Sequence, residues 1–301
     1  MHPVTEVAIV AALGLVAGIC GKAFQIQRHG LNVRIILVAQ SDITEGSLKS
    51  GIFEIVSAVA TSYPAITHFV DFNDYATGVG LTKTIALRQS MVNVVGDIGT
   101  KLVGMTKSQN SRMVSLRAAI ENPDQITPSG YSLISEITPG SLRKTLTASV
   151  LESNFVHSFM MLEYFGGRPP EIAHWEHDIP KGLHEDIVNL CEVAISNMAC
   201  HHRTCVEADA EASLFLATFD RSCDSVINGS DDDVLRRVWD KAHEKAIRVA
   251  ALLAVADDCR MPIIKLKHAE WARDFVLHGI GVVNRHIGAP QKRSKKKAVR
   301  G

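Results

Sequence analysis

The chain has 301 residues, of which 46% are hydrophobic and 21% are charged, and its formal net charge is zero. This composition excludes a disordered chain and is typical of one large or two smaller globular domains. Six basic residues are concentrated at the end of the chain: Lys292, Arg293, Lys295, Lys296, Lys297 and Arg300. The remainder has 26 basic and 32 acidic residues, so it lacks the basic excess of a typical nucleic-acid-binding domain.

The first apolar segment predicts a buried helix over residues 4–24. Its apolar run, residues 7–19, is shorter than the roughly 20 residues that a membrane-spanning helix needs. It also has no basic segment before it and no clear cleavage site. Together with six cysteines that follow no disulfide pattern, this predicts a cytoplasmic protein with reduced thiols and no membrane partner.

Short apolar runs and amphipathic segments then alternate along the chain. We predict strands over 33–39, 66–72, 91–95, 131–135 and 159–165, and helices over 47–62, 79–89, 113–121 and 139–148. From residue 183 the pattern is helical only, with helices predicted over 183–201, 206–227, 231–257 and 267–285. The sequence therefore predicts a three-layer α/β fold with a parallel sheet over residues 1–178, an all-helical domain over 179–290 and a disordered basic tail over 291–301.

The segment 32–51 has the layout of a phosphate-binding loop: a buried strand, a polar loop and an amphipathic helix. Such a loop needs glycines, whose backbone N–H groups turn toward the phosphates, and a lysine that meets the β- and γ-phosphates. This loop instead contains Asp42 and Glu45. One like charge at about 4 Å costs roughly 4 kcal/mol at an effective dielectric near 20. The layout is therefore present, but its chemistry opposes phosphate.

Several segments in fixed order carry a resemblance to a known family. They are GDIG at 96–99, SEITPGSL at 135–142, EYFGGRPP at 163–170, and RVAALLAVAD followed by IKLKHAEWA between 248 and 272. The chain resembles the RecA-like P-loop ATPase (helicase) module of phage and prophage primase–helicase replication proteins. The resemblance implies ATP-driven movement along DNA by a ring of subunits, with ATP and Mg²⁺ as cofactors, in the cytoplasm of a bacterial host.

The resemblance also implies roles for individual residues. The phosphate (Walker A) loop falls on Ser41, Asp42, Ile43, Thr44, Glu45 and Gly46, with both glycines of the motif and its lysine absent. The acid of the Walker B strand falls on Asp97, where a helix cap is the alternative interpretation. The sensor segment falls on Ser135, Glu136 and Thr138, and an expected arginine finger is replaced by Ser158.

Three functions remain open. The first is a degenerate ATPase module of a mobile-element replication protein, with weak or no ATP hydrolysis, that assembles with itself or with a replicative helicase. The second is a working NTPase that uses a non-standard phosphate loop, with Lys49 or a partner's lysine. The third is a non-enzymatic binding protein that modulates a replicative helicase. The basic tail is either a DNA-contacting arm or a solvated segment. The cysteines and histidines of 191–205 do not have the spacing of a zinc site.

Overall fold

The computed structural model describes residues 4–27, 29–41, 47–107, 110–121, 130–167 and 179–287. At its centre is a sheet of five parallel strands in the spatial order β4–β5–β6–β3–β7. The strands are β3 (Arg34–Val38), β4 (Val70–Asp71), β5 (Ser90–Asp97), β6 (Gly130–Ile137) and β7 (Met160–Glu163). Two further short strands, β1 (Phe24–Ile26) and β2 (His29–Gly30), form a hairpin before β3.

Helices cover both faces of this sheet, as the sequence predicted. They are α1 (Thr5–Cys20), α2 (Ser47–Ala60), α3 (Gly78–Arg88), α4 (Gly99–Lys107), α5 (Ser111–Glu121), α6 (Pro139–Thr145), α7 (Ala148–Leu151) and α8 (Asn154–His157). α1 contacts the face that carries Val92 and Ile134. Residues of α3, α4 and α5 lie against the opposite face, around Asn93 and Leu133. The α/β fold with a parallel sheet between helical layers is therefore confirmed.

Two glycines let α1 lie directly on the sheet. A Cβ at Gly18 would lie 2.7 Å from the backbone nitrogen of Val92, and one at Gly21 would lie 2.6 Å from the Cα of Gly130. Neither contact is possible for a larger residue unless the backbone shifts. Most of the remaining helix is buried, because it lies between the sheet and later helices. Among the residues that the structure describes, no helix combines the length and hydrophobicity needed to cross a bilayer.

The structure differs from the sequence prediction at several places in the sheet region. The helix predicted over 4–24 ends at Cys20 and is followed by the hairpin of β1 and β2, and the helix predicted over 139–148 is divided into α6 and α7. The strand predicted over 66–72 is instead a 3₁₀ helix, Pro64–Phe69, followed by the two-residue strand β4. Pro64 supplies the first helical position, where its missing N–H does no harm. Helix α4 was not predicted, because its glycines and polar residues hide the helical pattern.

The C-terminal region is helical, as predicted, apart from three two-residue strands. Its helices are α9 (Lys181–Ala199), α10 (Ala210–Asn228), α11 (Asp233–Asp240), α12 (Ala242–Asp257) and α13 (Leu266–Ile287). The short strands are β8 (Thr204–Cys205), which pairs with β1, and β9 (Glu207–Ala208), which pairs with β10 (Ile263–Ile264). α13 packs against the edge strand β7, where a Cβ at Gly279 would lie 2.9 Å from the carbonyl oxygen of Met161. The predicted domain boundary at 178 lies outside the described residues and stays a prediction.

Candidate functional site

Four of the five strands of the sheet place an acidic residue at or next to their carboxyl ends. These residues are Asp71 in β4, Asp97 in β5, Glu136 in β6 and Glu163 in β7. Since the strands are parallel, all four ends lie at one edge of the sheet. Ligands of open α/β sheets bind at this edge. This edge of the sheet is therefore the candidate site, and the four acidic residues give it negative charge.

Glu136 is buried and contacts the first turn of α2. Its Oε1 atom accepts a hydrogen bond of 2.8 Å from the backbone N–H of Leu48. The contact follows from strand register, because Glu136 pairs with Leu37 of β3, the strand that leads into α2. The first N–H groups of a helix have no partner within the helix, and the helix dipole favours negative charge there. A buried carboxylate of the protein therefore lies where a phosphate-binding loop would place phosphate.

Asp97 lies beside Glu136 on the neighbouring strand, where the two residues pair across a local irregularity in register. Its side chain is exposed, and Oδ1 accepts a 2.7 Å hydrogen bond from the N–H of Gly99, the first residue of α4. This bond satisfies one of the N–H groups that the first turn of a helix leaves without a partner in the helix. Asp97 thus contacts the start of α4, and its Walker B role stays a prediction.

Thr138 also contacts the start of a helix. Its hydroxyl oxygen accepts a 3.1 Å hydrogen bond from the N–H of Ser141, and Pro139 occupies the first position of α6. Thus each of the three residues predicted to be catalytic, Asp97, Glu136 and Thr138, accepts a backbone hydrogen bond from a helix that leaves this edge.

The predicted phosphate loop lies mostly outside the described residues. Only Ser41 is described, and it is exposed; Asp42, Thr44, Glu45 and Gly46 lie outside that part of the chain. Lys49, one turn into α2, is exposed. Its ammonium group lies 3.5 Å from the carbonyl oxygen of Phe72 and over the ring of the same residue. In this conformation Lys49 contacts the segment after β4.

A buried polar network next to this edge was not predicted from the sequence. Asp71 accepts hydrogen bonds from Asn73 Nδ2 at 2.7 Å and from the Tyr75 hydroxyl at 2.6 Å. Asn93 donates to the carbonyl oxygens of Asp71 and Asn73, and the Tyr131 hydroxyl donates to Asn93 Oδ1. Burial raises the pKa of the Tyr131 hydroxyl far above its usual range. Asp71 is therefore a buried residue whose carboxylate is held by hydrogen bonds within the protein.

Glu163 joins the edge strand β7 to the last helix. Its carboxylate lies 2.8 Å from His286 Nε2 and 3.2 Å from Arg285 Nη2, and its own N–H donates to His278 Nε2. Burial lowers the pKa of His278, with the Arg285 charge acting in the same direction. No local pattern indicated this cluster, because Glu163 lies more than 100 residues from His278, Arg285 and His286. Glu163 is thus committed to an internal ion pair.

The remaining residues that the sequence analysis considered are the cysteines, Ser158 and the basic tail. All six cysteines are free thiols. Within the described ranges, no three His, Cys, Asp or Glu side chains are grouped so that they could hold a metal ion. Ser158, at the expected arginine-finger position, donates its hydroxyl hydrogen bond to the carbonyl of Phe155. The six basic residues of the tail lie outside the described residues.

No protein family and no curated protein sequence matches the chain. Its structure is similar to the crystal structure of a full-length MCM homolog from Methanopyrus kandleri, with a TM-score of 0.50 and 13% sequence identity. The similarity covers 92% of this chain and 56% of the MCM homolog, so the chain spans about half the length of that protein. At this level of identity, the comparison establishes a shared α/β fold.

Proposed function

We propose that this chain is a helicase-like ATPase-fold module of a DNA replication protein in which nucleotide binding has been lost or weakened. The observation that carries the proposal is the hydrogen bond between the Glu136 carboxylate and the N–H of Leu48. It places a buried acid of the protein at the helix terminus that would otherwise hold a phosphate. The similarity to the MCM homolog supports the fold on which this proposal rests.

The residues at this edge do not fit ATP. A phosphate oxygen at the start of α2 would approach Glu136, and one pair of like charges at about 4 Å costs roughly 4 kcal/mol at an effective dielectric near 20. That cost corresponds to about a thousandfold loss of affinity. The sequence adds Asp42 and Glu45 in the connecting loop and lacks its lysine. We therefore derive no catalytic step that uses ATP or Mg²⁺.

Without ATP chemistry, the module acts through assembly. We propose that it forms a homo-oligomer or binds a replicative helicase of the same fold, in a phage or other mobile element of a bacterial host. The sequence resemblance to primase–helicase proteins supports this context. The basic residues of 291–301 would add contacts to DNA phosphates, whose affinity falls steeply with salt. The division into a sheet domain and a helical domain near residue 178 belongs to the same proposal.

ATP hydrolysis by the purified chain tests the loss of activity. We expect a rate of ATP hydrolysis no higher than background, with or without DNA, and the same rate in the Asp97→Ala variant. A helicase-like rate that Asp97→Ala abolishes would overturn the proposal and support a working NTPase with a non-standard phosphate loop. Light scattering, alone and with a replicative helicase, tests assembly. Binding to a helicase that does not depend on nucleotide would favour the remaining alternative, a non-enzymatic binding protein that modulates that helicase.

A further inference from the structure

Four basic side chains gather at the amino edge of the sheet, opposite the candidate site. Arg34 is the first residue of β3; Lys241 directly precedes α12, and Lys245 and Arg248 lie in the first two turns of that helix, close enough for their charges to interact with one another and with Arg34. We call these four residues the amino-edge cluster. α12 begins at this cluster without a side-chain cap. Its N-terminal partial positive charge therefore adds to that of the four side chains.

The carbonyl groups around Arg34 do not use all of its donors. Arg34 Nη2 donates to the carbonyl oxygens of Ile120 at 2.6 Å and Glu121 at 3.0 Å, which end α5. Its Nε atom is buried and has no hydrogen-bond partner in the part of the chain that the structure describes. Burial lowers the pKa of Arg34 to about 10, and the nearby Arg248 charge acts in the same direction. An acceptor is therefore missing beside a buried guanidinium group.

Arg248 repeats this pattern on the facing helix. Its Nη2 atom donates to Glu244 Oε1 at 2.5 Å, whereas its Nε atom is buried and contacts no hydrogen-bond acceptor among the described residues. Glu244 also lies 3.6 Å from the ammonium group of Lys241, which is 3.6 Å from Asp240 as well. The carboxylate of Glu244 is therefore shared by two members of the amino-edge cluster. A buried donor without an acceptor is costly, so the arrangement favours an additional anion.

Lys245 completes the cluster. Its ammonium group donates a 2.8 Å hydrogen bond to the carbonyl oxygen of Phe159, just before β7. Burial is the main cause that lowers the pKa of Lys245 to about 7; the charges of Arg34, Lys241 and Arg248 act in the same direction, and Glu244 opposes them. Lys245 also lines a small cavity with His157 and with apolar residues that include Met160 of β7 and Ile280 of α13.

We propose that the amino-edge cluster binds a phosphate group. A phosphate offers several acceptor oxygens and negative charge, which match two orphaned guanidinium N–H groups, an ammonium group and an uncapped helix terminus. The group is either free phosphate or part of a DNA backbone. This inference does not depend on the proposed loss of nucleotide binding, because the two sites lie at opposite edges of the sheet.

Isothermal titration calorimetry of the full chain with inorganic phosphate tests this site. We expect saturable binding by the wild type and a loss of about ten- to hundredfold in Arg248→Gln, because one charge-assisted hydrogen bond and its charge are removed. Lys181→Gln is the matched control, since Lys181 is an exposed lysine paired with Glu185 on α9. It should bind phosphate like the wild type. Absence of binding by a folded wild type, or equal loss in both variants, would overturn the proposal.

A second arm separates the two sources of phosphate. Titration with oligothymidylate is compared with inorganic phosphate in a variant that lacks residues 288–301, so that the basic tail cannot contribute. Competition between the oligonucleotide and inorganic phosphate, together with weaker oligonucleotide binding in Arg248→Gln, identifies a DNA-backbone site. Phosphate binding without competition identifies a site for free phosphate. If Arg248→Gln changes the affinity for neither inorganic phosphate nor the oligonucleotide, the amino-edge cluster is not a phosphate site.

The pH dependence gives an independent readout. Sulfate is the suitable probe, since its charge does not change near neutral pH. Protonation of Lys245 should strengthen sulfate binding as the pH falls through about 7, and Lys245→Met should remove that component. Other charged or titratable groups near the ligand or Lys245 are Arg34, Lys241, Glu244, Arg248, His29, Glu121, Arg117, His157 and Arg237. An unchanged pH profile in Lys245→Met would exclude Lys245 as a ligand.

Discussion

Glu136→Gln isolates the negative charge that Glu136 presents to α2. The substitution keeps the shape of the side chain and an acceptor oxygen, but it replaces a charge-assisted hydrogen bond to the N–H of Leu48 with a neutral one. Hydrogen bonds to charged groups contribute about 1.5–3 kcal/mol, compared with about 1 kcal/mol for neutral pairs. We therefore expect Glu136→Gln to lower the free energy of unfolding by about 1–2 kcal/mol.

Asp97→Asn is the matched control for this prediction. Asp97 is also a capping acid at the same edge, but it is exposed, so solvent screens its charge. We expect a loss of about 0.5 kcal/mol. Urea is the suitable denaturant, because it does not screen charge. The urea concentrations at the midpoints of unfolding are compared between variants that have the same m value. If Glu136→Gln were as stable as the wild type while Asp97→Asn was not, Glu136 would not be a charged cap of α2.

Three further predictions concern the rest of the chain. Gly18→Ala should be less stable than Gly51→Ala by about 1–3 kcal/mol in urea unfolding, because its Cβ would meet the backbone of β5, whereas nothing lies within 4 Å of a Cβ at Gly51; equal stability would contradict the close packing of α1. Between pH about 7 and 10.5 the unfolded chain holds a proton at Lys245 that the folded chain has lost, so Lys245 makes a contribution to the free energy of unfolding that rises with pH. The slope of this free energy against pH should therefore be more positive in the wild type than in Lys245→Met, and equal slopes in urea titrations would refute the buried amine. Deletion of residues 288–301 should weaken DNA binding and reduce its salt dependence in fluorescence anisotropy, and unchanged binding would show that the tail is only a solvated segment.

The sequence predicted the central strands and most helices because their hydrophobic periods are strong. β3 is a nearly continuous apolar run, as a strand buried on both faces should be, and β5 contains four apolar residues around Asn93. The prediction of a strand over 66–72 was wrong, because a 3₁₀ helix begins at Pro64 and leaves only Val70 and Asp71 to pair with β5. An apolar run of that length does not by itself distinguish a strand from a short helical turn.

The candidate site shows a clearer limit of sequence reasoning. The positions of Asp97 and Glu136 at strand ends followed from the pattern, but their hydrogen-bond partners did not. Glu136 contacts Leu48, 88 residues away, only because β6 lies next to β3. Likewise, the carboxylate of Glu163 meets Arg285 and His286 across more than 100 residues. Contacts of this kind depend on strand order and on the packing of the last helix, which no local pattern encodes.

The most direct test of the account is a titration of the wild-type chain with MgATP, next to a variant that combines Asp42→Gly, Thr44→Gly, Glu45→Lys and Glu136→Gln. We expect no saturable binding by the wild type and measurable binding by the variant, because the variant removes three acidic charges, two in the loop and one at α2, and restores the glycines and lysine of the loop. Saturable, magnesium-dependent binding of ATP by the wild type at micromolar concentration would contradict it.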